Sequence, residues 1–418
     1  MVAKNDAVIC MIVTIQHSHP LMSTQELERS ILIVSYYFPP LAVGASTRAA
    51  QIATLLAERE WNVHVLHAAP SNAVPSEWSW SAELESYGIE RTVVEPVSVP
   101  SLVRHSLVRI RLASALGSAF RSECDSYGRW KERVLIEAER LARRRPFNLV
   151  LGLAPPLSIA STAEAVARQL NVPLAIDLGE PIELLAYRAP SYGGRSHEST
   201  LEFILGKAFY TTVPSRREKE LLLRRYPILT HEEVGILPHR IQLHSENDEQ
   251  QQKRTILFVA EEFASAHLRP LLSVLRTQNE LQFIIAGRAP RSLGKLITSW
   301  QLEGRVLHDA TITPSKLDRW IELSAAAVVL ATRWSTTPRS IVDRIVGAGL
   351  PLLVLGEFAP ILVADVPKGN VLVATKTTPS ATRKEIAALL ALPRSVPYTQ
   401  DDSYEREFSR RLGMVMKL

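Results

Sequence analysis

The chain has 418 residues, of which 46% are apolar and 22% charged, with a net charge of +5. That length exceeds one hydrophobic core and predicts two units of roughly 200 residues each. No apolar run approaches the roughly 20 residues that span a bilayer as a helix, and Cys10 and Cys124 provide neither a disulfide framework nor a metal-ligand spacing.

Residues 1–29 contain one apolar run, Ala7–Thr14, after a lone Lys4. An export signal needs more positive charge and a small-residue cleavage site, so an irregular extension is the expectation. The pattern then becomes regular. Ile31–Val34 is a short buried strand, Pro39-Pro40 and Gly44 break the backbone, and Val43–Thr47 reads as a small, flexible loop. Ala49–Glu58 reads as a helix with Ile52, Leu55 and Leu56 on one face, and Val63–Leu66 as the next strand. Backbone N–H groups at such a helix start favour negative charge. A doubly wound sheet binds phosphate at the carboxyl ends of its strands. Gly44, Ala45, Ser46 and Arg48 are therefore candidate phosphate-binding residues.

Leu102–Arg145 holds eleven Arg and Lys against five Asp and Glu. Trp130, Val134, Ala138 and Leu141 form one stripe, so its second half is an amphipathic helix packed on the sheet. The charge is either a solvated face or a patch for anionic lipid or a phosphate-bearing acceptor. Nothing supports nucleic-acid binding. An α/β rhythm follows, with strands at Asn148–Leu153 and Pro173–Asp177 around a helix at Ser158–Leu170. Asp177 and Glu180 stand at a strand's carboxyl end, where a carboxylate either orients sugar hydroxyls and moves an acceptor proton or caps a turn. His64 and His67 read as structural.

Gln242–Lys253 is polar, acidic and Gln-rich, which predicts a linker between residues 30–241 and 254–398. Beyond it, strands start at Arg254, Leu281, Arg305, Ala325 and Leu352, with helices between them. This predicts a second doubly wound α/β domain. Residues 399–418 end in a basic helix.

Tyr37-Phe38-Pro39-Pro40, Val43-Gly44-Ala45, Arg48 and Trp61-Asn62-Val63 together resemble the N-terminal signature of the family-4 type glycosyltransferases. Ala154-Pro155-Pro156 and Asp177-Leu178-Gly179-Glu180-Pro181 extend the likeness. The resemblance implies the GT-B fold, two Rossmann-like domains facing across a cleft, with the last helix crossing back to the first. It implies a hexosyltransferase of polysaccharide biosynthesis; the two cysteines fit a reducing cytoplasm, and the basic segment gives the alternative of a peripheral place at the inner membrane face. A nucleotide diphosphate sugar would be the donor, a glycan or lipid-linked molecule the acceptor, and no metal or other cofactor would be required. In the second domain the likeness weakens. Ala260 stands where the family has Gly, followed by Glu261 and Glu262, and Arg269 is the nearest basic residue. Counting back from Gly349-Leu350-Pro351, the family's two Glu positions hold Thr336 and Arg344, with Asp343 one position off. Arg269, Arg339 and Arg344 join the donor-site candidates, and Asp343 joins Asp177 and Glu180 as a candidate catalytic acid. The alternative is a catalytically degenerate GT-B protein that binds a carbohydrate or a partner. Retention against inversion stays open.

Overall fold

Two parallel sheets, of seven and six strands, organise the chain. The computed structural model describes residues 29–39, 44–68, 84–95, 130–184, 195–240, 255–310, 312–332, 337–366, 368–375, 378–395 and 402–417. The expected N-terminal extension, the linker at 242–253 and the first half of the basic segment lie outside those residues.

The first unit runs β1 (Ser30–Ser35), α1 (Gly44–Glu58), β2 (Asn62–Ala68), β3 (Glu90–Val94), α2 (Lys131–Ala142), β4 (Leu149–Ala154), α3 (Ser158–Leu170), β5 (Leu174–Leu178), α4 (Arg195–Leu205), β6 (Tyr210–Val213), α5 (Arg216–Arg225) and β7 (Val234–Ile236). Its strand order is β3-β2-β1-β4-β5-β6-β7, with every neighbouring pair parallel. The second unit runs β8 (Thr255–Glu262), α6 (Ser265–Leu275), β9 (Gln282–Arg288), α7 (Ser292–Ser299), β10 (Val306–Asp309), α8 (Pro314–Leu323), β11 (Ala326–Leu330), α9 (Arg339–Gly347), β12 (Leu352–Leu355), α10 (Ala359–Leu362), β13 (Val371–Ala374) and α11 (Pro379–Leu390). Its order is β10-β9-β8-β11-β12-β13, again parallel throughout. The final helix is α12 (Ser403–Gly413). These are the two doubly wound α/β domains predicted.

The period-two geometry of a strand explains the layering. Leu32 and Val34 enter one apolar cluster with Trp130, Val134 and Ala138, while Ile31 and Ile33 enter another with Ile52, Leu55 and Leu56. In the second sheet Ile256 and Phe258 face one side, Leu257 and Val259 the other. Helix α12 does not join that second core. Its Phe408 and Leu412 pack with Ile31 and Ile33 of the first, and Arg240 ties Glu405 (2.7 Å) to Glu58 (2.8 Å) beside it.

One local expectation needs correction. Helix α1 begins at Gly44, so residues 44–47 are helical rather than a loop, and Arg48 lies in the second turn. Nothing after Gly44 opposes a helix, and Arg48 is anchored from across the sheet, as described below. The exposed side of α2 and its end carry Arg140–Glu137 and Arg143–Glu139 pairs at helical spacing, while Val134, Ala138 and Leu141 are buried on the other side as the stripe predicts.

His67 on β2 is buried beside the Phe38 ring, 5.4 Å between centroids, and burial lowers its pKa to about 4. An imidazole whose folded pKa lies below its unfolded value near 6.5 contributes stability above pH 6.5 and loses it as pH falls through 4. The shift corresponds to about 3 kcal/mol across that window. Urea unfolding of the wild type should therefore weaken from pH 7 to pH 4, and His67→Gln should flatten that slope. Identical slopes in the two proteins would show that His67 does not carry the effect.

Candidate functional site

Asp177, at the end of β5, is completely buried, and its charge is met on three sides. Arg48 reaches it from α1 with two parallel bonds, Nε to Oδ2 and Nη2 to Oδ1, each 2.7 Å. Thr212 on β6 donates to Oδ1 at 2.6 Å. The Arg48 fork continues to the Leu237 carbonyl at 2.9 Å and to His239 Nδ1 at 3.2 Å. Because a guanidinium only donates, His239 Nδ1 accepts, which leaves Nε2–H to donate to the Gly179 carbonyl at 3.0 Å. Burial first, then the Arg48 and Arg339 charges, hold His239 well below the usual imidazole range, so it is neutral. Gly179 has a steric purpose, because a Cβ there would lie 2.5 Å from Arg48 Cδ. The Asp-Leu-Gly run thus reads as an ion-pair partner, a core residue and a gap for arginine. Asp177 is thus paired inside the first unit while it also borders the cavity described below.

Glu180 makes the next contact, and it is between the two units. Both of its carboxylate oxygens accept from the backbone N–H of Arg339, at 3.1 and 3.2 Å. Arg339 is the first residue of α9, and Pro338 before it offers no side-chain cap. Glu180 supplies that cap from the other sheet, in the position a helix start favours for an anion. Arg339's side chain turns away to Asp343 (2.6 Å) and Asp365 (2.5 Å). Burial opposes its charge, but these two carboxylates outweigh burial and raise its pKa. Burial raises Asp343 despite Arg339. Two residues past Ile182, Leu184 joins the apolar cluster of Val342 and Ile345, inside the second unit.

A small cavity lies at this junction. It is bounded by Ser35 at the end of β1, Ala154 at the end of β4, Ala45 on α1, Asp177, Glu180 and Ser340 on α9. In the first sheet the order of winding switches between β1 and β4, with β2 and β3 added on one side and β4 to β7 on the other, which is where open α/β sheets bind ligands. Its volume is about 10 Å³, room for a single water.

The sequence-derived candidates thus fall into three groups. Gly44, Ala45, Ser46 and Arg48 lie on the first turns of α1, with Ala45 and Arg48 at the cavity; Ser46 does not line it but is buried, and its hydroxyl has no hydrogen-bond partner. Asp177, Glu180 and Arg339 meet at the junction. Arg269 is exposed on α6, away from the cavity, and Arg344 is buried in a bidentate pair with Asp318, Nη2 to Oδ2 at 2.5 Å. Arg344 is thus committed to a carboxylate of its own unit. Asp343 is committed to Arg339. Thr336 lies outside the described residues.

The Ala260 segment also differs from a phosphate loop. Strand β8 continues to Glu262 through a bulge after Val259, and Phe263 N–H donates to the Arg288 carbonyl at 2.7 Å. Ala260 is buried, and its carbonyl lies where a Cβ on Gly287 would be, 1.7 Å away. A glycine at 260 would remove one methyl group without releasing this strand. Among the described residues no cluster of His, Cys, Asp or Glu could hold a metal ion, and no helix is long and apolar enough to cross a membrane. His239, Thr212, Asp318 and Asp365 escaped sequence reasoning, since each acts through a partner distant in the chain.

No protein-family model matches the sequence, and no curated protein sequence matches it. Solved structures match its fold. A sucrose-phosphate synthase from Thermosynechococcus elongatus aligns with a TM-score of 0.60 at 14% identity, over 93% of this chain and 94% of that one. UDP-GlcNAc 2-epimerase from Neisseria meningitidis, bound to UDP-GlcNAc, gives 0.58 at 12% identity, over 92% and 100%. An apo lipopolysaccharide outer core galactosyltransferase gives 0.53 at 10%, over 93% and 100%. At such identities the likeness is one of fold, and that fold is GT-B.

Proposed function

We propose that this GT-B chain binds a nucleoside diphosphate sugar between its two sheets and transfers the glycosyl group to an acceptor held by the first unit, in the manner of a family-4 type glycosyltransferase. The observation that carries the reading is convergence. The first turns of α1, the start of α9 and the strand ends at the first sheet's switch point all meet at one cavity. Helix starts stabilise a departing diphosphate without a metal. In the transfer, the bond from the sugar C1 to the diphosphate oxygen breaks and an acceptor oxygen bonds to C1. The acceptor hydroxyl loses its proton, and the nucleoside diphosphate leaves. The neighbour solved with UDP-GlcNAc supports a UDP-sugar as the first donor to try. The net +6 of Leu102–Arg145 fits a lipid-linked, phosphate-bearing acceptor at an anionic membrane surface.

One observation favours a second reading, a degenerate binding module. Arg48, Arg339 and Arg344 are each neutralised by internal carboxylates, so their charges are already committed. A thermal-shift series with UDP, GDP, ADP and TDP separates the two. A ligand at a hundredfold excess over its Kd stabilises by about 2.7 kcal/mol, which raises Tm by several degrees. We expect UDP to do so, and UDP-sugar with acceptor to release UDP. No shift with any of the four would leave the binding-module reading. Conversion of a UDP-sugar without acceptor would replace transfer by epimerisation.

A further inference from the structure

We propose that Glu180 is a built-in occupant of the α9 amino terminus: its carboxylate latches the two units together and must leave when a phosphate of the ligand binds there. The inference rests on the reading of the cleft as a nucleoside diphosphate site.

The geometry supplies the first support. Both Glu180 oxygens accept from the Arg339 N–H, across the junction between the sheets. The helix they cap has nine residues, and its own preceding residue, Pro338, contributes no side-chain acceptor. Arg339's guanidinium is bound to Asp343 and Asp365, so this helix end presents backbone N–H rather than side-chain charge to an anion. A carboxylate and a phosphate compete for the same donors and repel each other.

Volume supplies the second. The cavity at the junction measures about 10 Å³, whereas a site for a ligand of drug size or larger needs about 300 Å³ or more. A ligand phosphate that takes up the α9 amino terminus at this cavity therefore has to displace the Glu180 carboxylate. The third support is the direction of the chain beyond Glu180. Leu184 continues the same segment into the apolar cluster of the second unit, so residues 180–184 act together as the tie. Asp177 and Arg48 hold the base of that segment in the first unit.

The test uses the full chain with two substitutions. Glu180→Ala removes the cap acceptor, and Glu180→Gln keeps one oxygen but no charge. Circular dichroism first establishes that both variants fold. Small-angle X-ray scattering then gives the radius of gyration without ligand, and calorimetry gives the Kd for UDP. The proposal expects a larger radius of gyration for Glu180→Ala. It also expects UDP to bind both variants more tightly than the wild type, about tenfold for Glu180→Ala, because a closed state that excludes ligand lowers apparent affinity by its population. An unchanged radius for Glu180→Ala overturns the latch whatever UDP does. So does UDP that binds the wild type and binds the variants no more tightly. If UDP binds none of the three proteins, scattering alone decides the latch and the nucleotide reading falls. If UDP binds all three equally, the nucleotide reading stands and the latch falls.

Discussion

Replacing Arg48 by alanine is expected to cost about 3–5 kcal/mol of stability. The substitution leaves Asp177, completely buried, with Thr212 as its remaining side-chain donor. It also strips the Leu237 carbonyl and His239 Nδ1 of their donor. An uncompensated buried carboxylate is costly, because the interior cannot replace the water it lost. The size of the loss reflects that stranded charge rather than the net worth of the pair. A double variant, Arg48→Met with Asp177→Leu, should therefore recover most of it, since removing both charges removes the desolvation cost too. Chemical denaturation of the two single variants and the double closes this cycle. A loss below about 1 kcal/mol for Arg48→Ala would mean that water reaches Asp177. The same comparison separates scaffold from chemistry. A catalytic acid at 177 would give a stable Asp177→Asn with lost turnover, whereas a structural partner gives an unstable one.

The second large effect is expected at Gly287. Its φ of +129° is a conformation that side chains rarely adopt, and a Cβ there would sit 1.7 Å from the Ala260 carbonyl oxygen. The obstruction is backbone, and it belongs to the neighbouring central strand. Gly287→Ala must pull β9 from β8 just where the Phe263–Arg288 hydrogen bond closes the strand ends. A loss of about 4 kcal/mol, or failure of the second unit to fold, is expected. Gly294 on α7 is the control. A Cβ there meets nothing within 4 Å, so Gly294→Ala should stabilise by about 0.5–1 kcal/mol. Urea unfolding distinguishes the two glycines, and similar effects at both would refute the close approach.

Much of the fold was legible because a strand buried on both faces must be short, apolar and followed by a helix. Ile31–Val34, Asn148–Leu153 and Ala325–Ala331 announce themselves in that way. The start of α1 was not legible, because Pro39-Pro40 and Gly44 suggested a longer break than the backbone needs. At the junction, composition marked Arg48, Asp177, Glu180 and Arg339 as noteworthy, but their meaning depended on pairing. Arg48 and Asp177 are separated by 129 positions, and Arg339 and Glu180 by 159. A cation free for phosphate and a cation consumed by carboxylate look alike until those distances close. Arg344 shows the same ambiguity, since its partner Asp318 lies on another helix.

The placement of α12 has a consequence for the first unit. The chain passes from the first sheet to the second after Arg240, and it returns after Ser395 to pack Phe408 and Leu412 against Ile31 and Ile33. The last residues of the sequence are therefore part of the first unit's foundation, although they follow the second sheet. A chain cut after Ser395 would uncover the apolar layer of Ile31, Ile33 and Ile52 that Phe408 and Leu412 close, so the damage would appear in the half of the molecule farthest away in sequence.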